Sequence, residues 1–145
     1  LLQMDEDLPL VEPVVRHGKP PEFIACEQFN PTVIANTYAT IKASGHRSVA
    51  LICKTTHEAS NYVKFLQKAG LDVQLLDENS QIDQQQLLVV PSHLAKGLEF
   101  DAVMIASFDT PYFDKVIDRK LLYVALTRAM HELYLIGPSK ETFLM

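Results

Sequence analysis

Beyond Glu22 the chain alternates short apolar blocks with longer blocks of mixed polarity, and this rhythm predicts strands and helices by turns. Phe23 to Cys26 reads as a short strand. Asn30 offers a helix cap, Pro31 suits the first helical position and Gly45 marks a stop, so a helix is predicted between them. Ser48 to Cys53 is apolar on both alternating faces, the pattern of a strand buried between helices. Thr56 is the expected cap of a second helix, His57 to Lys68, which Gly70 ends; Val73 to Leu76 is the strand that follows.

The polar stretch Asp77 to Gln86 reads as a surface connection, and Leu87 to Val90 as a second strand buried on both faces. A strand at Ala102 to Ala106, a turn region at Asp109 to Asp114, a helix from Arg119 to Met130 and a last strand from Glu132 to Ile136 complete the series. Strands alternating with helices imply an α/β fold of three layers, a mostly parallel β-sheet flanked by helices. Residues 1–21 carry Asp5-Glu6-Asp7 and the prolines Pro9, Pro13, Pro20 and Pro21, so they are expected to be an extended lead-in, with the domain at residues 22–145.

Composition narrows the function classes. A length of 145 residues with 48% apolar positions suits one domain with a real core. A net charge of −5 provides no broad basic field, so any nucleic-acid contact must be local. Cys26 and Cys53 lie in apolar runs and read as reduced core thiols, which points to the cytoplasm. No apolar run reaches a membrane span, and no basic-then-apolar leader is visible. The chain opens on Leu1 and holds no second domain, which reads as a piece of something longer.

Two segments concentrate the chemistry: Ser92-His93-Leu94-Ala95-Lys96-Gly97-Leu98-Glu99-Phe100-Asp101 and Leu121-Leu122-Tyr123-Val124-Ala125-Leu126-Thr127-Arg128-Ala129. Ligands of open parallel sheets sit beyond the carboxyl ends of strands, and Lys96-Gly97 is expected just past such an end, where glycine lets backbone approach a ligand. Read alone, the same step also describes a glycine turn between solvated Lys96 and Glu99. In the second segment, helical periodicity places Arg128 on the apolar arc with Leu121, Val124 and Ala125. An arginine there needs an anion, either a phosphate or a carboxylate of the chain itself. Tyr123 could stack on a base or seal its helix.

Other constellations fail. His57-Glu58 and His131-Glu132 lack the second histidine of a zinc helix, and Ser92-His93 are sequence neighbours rather than an assembled triad, so no metal site and no nucleophile is assigned. The chain also contains no Gly-x-x-x-x-Gly-Lys-Ser/Thr loop to cradle phosphates, so it cannot be a whole ATPase of that kind.

Together the two segments resemble the fifth and sixth motifs of UvrD-like superfamily 1 helicases, and Met130-His131-Glu132-Leu133 is most like the HelD branch. The resemblance implies a RecA-like domain, the C-terminal half of a P-loop NTPase motor. It would make Arg128 catalytic, an arginine finger on the γ-phosphate of ATP, with ATP and Mg²⁺ held mainly by a missing N-terminal RecA-like domain. Gly97 and Glu99 would face the nucleotide, and His93 and Lys96 would touch single-stranded DNA. Within the same resemblance, the alternative is a HelD-like factor that binds and recycles RNA polymerase. Pro91 departs from the threonine common before the fifth motif, the fourth motif is not visible, and the connection from Leu76 to Leu87 is too short for a large accessory insertion.

Overall fold

A strand in the middle of a parallel sheet must be apolar on both faces, and β2 (Val49–Cys53) meets that condition at all five positions, each of them buried. The computed structural model describes residues 20–79, 81–83, 85–108 and 116–143. In it β2 pairs with β4 (Leu87–Pro91) on one side and β5 (Phe100–Ala106) on the other. With β1 (Glu22–Ala25), β3 (Val73–Leu75) and β6 (Ala129–Gly137), these strands form a six-stranded sheet in the order β1-β6-β5-β2-β4-β3. All five strand pairings are parallel, one step beyond the mostly parallel sheet expected.

Alternate residues of each strand divide between two apolar layers. Leu51, Val89 and Met104 face α1 (Pro31–Ala43) and α2 (Thr56–Lys68), where Ile34, Ile41, Tyr62 and Leu66 meet them. Ile52, Val90 and Ile105 face α3 (Val116–Leu126) through Leu122 and Ala125. The expected three-layer α/β architecture is therefore present.

Local signals set the helix ends. Asn30 caps α1 as predicted, its side-chain oxygen accepting from the Thr32 amide at 2.9 Å. For α2 the cap is Thr55 rather than Thr56: Thr55 keeps an extended backbone and its hydroxyl accepts from the Glu58 amide at 3.1 Å. Beyond α2, Gly70 takes φ of 91°, and the Leu71 amide returns to the Leu66 carbonyl at 3.0 Å.

The largest departure lies near the C-terminus. The helix expected over Arg119 to Met130 ends at Leu126, and the last strand begins at Ala129 instead of Glu132. The Thr127 hydroxyl donates to the Tyr123 and Val124 carbonyls at 3.1 and 3.0 Å, closing the helix end, and Ala129 is already in register with Phe100 of β5. The turn region expected at 109–114 and the lead-in at residues 1–19 lie outside the described residues.

The two cysteines are free. Cys53 is buried, and burial, reinforced by the charge of Glu58, pushes its thiol well up, so it stays protonated as an inert core group. Cys26 is half-buried, with its thiol 2.9 Å from the Gln28 carbonyl.

Candidate nucleotide and nucleic-acid site

The site is built on an unusual connection. β4 and β5 are parallel and separated by β2, so the chain leaving β4 must travel back along the sheet and cross β2 before β5 can begin. Residues 92–99 do this on the α3 side, without an intervening α-helix, as a short 3-10 helix at Ser92–Leu94 followed by a turn at 95–98 that the Leu98 amide closes on the Ala95 carbonyl at 3.0 Å. Ala95 is buried in the α3 layer, with Leu94 and Leu98 packed against it, and these three apolar contacts hold the crossing down.

The crossing separates the candidate residues along the sheet. His93 is exposed beside the carboxyl end of β4, and Glu99 is exposed next to the amino end of β5. The expectation that Lys96-Gly97 lies just past a strand's carboxyl end is not met: both are exposed well along the crossing, toward β5, because the chain has to reach the opposite edge of the sheet. Gly97 has φ of 82°, and a Cβ built there would meet no atom within 4 Å. Its glycine is required by backbone conformation rather than by crowding.

Ser92 anchors the start of this path. It is 1% exposed, and its hydroxyl donates to the Cys53 carbonyl at the end of β2 over 2.8 Å. Pro91, which departs from the family pattern, is buried as the last residue of β4, in register with Cys53. Around His93 lies a groove of about 330 Å³ whose walls include Thr56, Leu75, Asp77, Asn79 and Leu94.

At the other edge stands Arg128, in the link between α3 and β6 and not on the helix arc expected for it. Its backbone carbonyl accepts from the Phe100 amide at 3.0 Å, so the start of β5 fixes its place directly after Glu99. The side chain is half-buried. One terminal nitrogen donates to the Thr127 hydroxyl at 3.0 Å, and Nε is buried without any hydrogen-bond partner. Among the described residues no carboxylate pairs with this guanidinium. The structure thus brings Arg128 together with the Glu99-Phe100 segment and holds His93 away at the far edge. Tyr123 packs partly buried against the α3 layer, which favours the sealing role over base stacking.

Two further residues of the motifs, Thr127 and Asp101, hold the site in place. Thr127 ends α3 and also receives the arginine, a dual role visible only once its partners are known. Asp101 ties the amino ends of β2 and β5 together: its carboxylate accepts from the Arg47 and Ser48 amides at 2.8 and 3.3 Å, and its own amide donates to the Ser48 hydroxyl at 2.9 Å. Burial alone would raise the Asp101 pKa, but those two amides, with His131 and His46 nearby, outweigh it and lower the value.

Residues 86–136, which hold both motifs, match the model of the UvrD-like helicase C-terminal domain. A curated relative, a probable DNA helicase II homolog of Mycoplasma capricolum, is 40% identical over 88 residues, 54% of this chain and 12% of that protein. The crystal structure of the C-terminal domain of a possible DNA helicase from Lactobacillus plantarum WCFS1 is 31% identical with a TM-score of 0.73, covering 83% of this chain and 74% of that one. The C-terminal domain of the DEAD-box protein Dbp5, 14% identical with a TM-score of 0.55 over 90% of this chain and 80% of that one, shares the fold alone. This chain therefore spans a small part of the curated helicase and most of a solved helicase C-terminal domain. With the fold, the motif order and these matches in agreement, the chain belongs to the family of UvrD-like helicase C-terminal domains.

Proposed function

We propose that this domain is the second RecA-like half of an ATP-dependent DNA helicase or translocase, in which Arg128 acts on the nucleotide from across an interdomain cleft. One observation carries the reading: a half-buried guanidinium with an orphaned Nε and no described carboxylate partner. A buried polar nitrogen without a partner is costly, and a ligand oxygen would relieve that cost. A planar fork of donors suits phosphate oxygens, and stabilising charge on a transferring phosphoryl group is what an arginine finger supplies.

ATP with Mg²⁺ would bring the scissile phosphoryl group, and the phosphate loop this chain lacks would come from a companion N-terminal domain. Arg128, Gly97 and Glu99 would face that nucleotide. His93, at the far end of the same crossing, and Lys96, next to Gly97, would face single-stranded DNA. Residues 92–99 join the two regions, so a change at one edge of the sheet has a covalent route to the other.

The test is the ATPase rate of the full-length protein with single-stranded DNA and, separately, with RNA polymerase. Stimulation by DNA is expected. Stimulation by polymerase alone would replace the helicase reading with that of a polymerase-recycling factor.

A further inference from the structure

The outer face of α2 carries a second pattern. At about 100° per residue, His57, Asn61, Lys64 and Lys68 fall on one narrow arc with Phe65 at its edge, a stripe about 16 Å long. His57, Lys64, Phe65 and Lys68 are exposed and Asn61 is half-buried. The one acid of this helix, Glu58, is 3% exposed and turned inward beside the Tyr62 hydroxyl. In a chain of net charge −5, this helix therefore presents a solvent face that is basic and free of carboxylates.

Phe65 is 52% exposed, yet it does not stand alone. Its ring lies 6.0 Å from that of Phe29, which stacks flat on Tyr62 at 4.0 Å and meets Phe108 edge-on at 6.0 Å. An exposed aromatic ring beside an aromatic cluster offers a surface on which a base can stack. Flanking lysines one turn apart add attraction for a chain of phosphates. Aromatic faces interleaved with ammonium groups are the recognition chemistry of single strands.

We propose that the α2 stripe of Lys64, Phe65 and Lys68 is a second single-strand contact, with Phe65 stacking on a base and the two lysines pairing with phosphates. Thr56, the first residue of the same helix, lines the groove beside His93 and stands eight residues, about 12 Å, before Lys64, so the same strand could continue from one contact to the other. The inference rests on the reading of this domain as a single-strand-binding motor half.

The experiment measures binding of a fluorescein-labelled oligodeoxythymidylate to the 145-residue chain by anisotropy, over a series of salt concentrations, beside the melting temperature of each variant. Phe65→Leu should weaken binding roughly tenfold while Phe65→Trp retains it, as stacking requires. The double variant Lys64→Ala with Lys68→Ala should reduce the slope of log affinity against log salt by about 1.4, two phosphate contacts' worth. If His93→Ala weakens binding and every α2 variant leaves it unchanged, the proposal fails and the motor reading stands. Absence of any binding by this chain at low salt would overturn the proposal and leave the motor reading to the full-length ATPase test. Unchanged DNA binding with a lower melting temperature for Phe65→Leu would mean that the ring serves the packing around Phe29, and would also overturn the proposal.

Discussion

The amide of Phe100 donates to the carbonyl of Arg128 over 3.0 Å, joining the last step of one helicase motif to the arginine of the other. A single backbone bond between the starts of β5 and β6 thus sets Arg128 beside Glu99. The pairing is part of the sheet, and the register shifts just beyond it, between Phe100 and Ala102, where β6 carries one extra residue.

Gly97 adopts φ of 82° in open surroundings, so its substitution isolates backbone strain from steric conflict. Gly97→Ala should destabilise the domain by about 1–2 kcal/mol in urea melts, and Gly97→Asn by less, since asparagine tolerates the left-handed region better. Equal stability of wild type and Gly97→Ala would show that the crossing relaxes freely at this point.

Ser92 offers a different handle on the same crossing. Removing its hydroxyl leaves the buried link to the Cys53 carbonyl unmade, and Ser92→Ala should cost about 1 kcal/mol or more. Because His93 follows directly, single-strand affinity should fall as well when measured by anisotropy at a temperature where the variant remains folded.

Asp101 gives the domain a pH signature. Its folded pKa is depressed, so its contribution is present at neutral pH, above the usual carboxylate range, and is lost as pH falls through the folded value. The stability gap between wild type and Asp101→Asn in urea melts should be open at pH 7 and narrow progressively below about pH 4. A gap that widened in acid would contradict the bonding to Arg47 and Ser48.

The parallel sheet was legible because β2 and β4 are apolar at every position and turn signals at Asn30, Gly45 and Gly70 punctuate the helices between strands. The placement of Arg128 was not. Its apolar neighbours continue a helical rhythm through Met130, and nothing local states that Ala129 will be claimed by Phe100 or that Thr127 will turn its hydroxyl back on α3. Pairing distant in sequence overrode a plausible helix. The position of Gly97 was misread for a related reason: the sequence shows that β4 precedes the motif, but only the strand order, with β2 standing between β4 and β5, reveals that the loop must traverse the sheet. Ser92 and Asp101 were part of the motif as written, but their partners, Cys53 and the Arg47-Ser48 amides, lie on another strand's ends.

The most direct measurement is made on Arg128 in the full-length protein, comparing turnover per folded molecule and melting temperature for Arg128→Ala and Arg128→Lys. An arginine finger predicts that alanine cuts turnover about 10³-fold or more while melting stays near wild type. Lysine should fail to restore turnover, since one ammonium cannot present the planar fork. A purely structural arginine would give the reverse: melting lowered by alanine, partly recovered by lysine, and turnover close to wild type in both variants.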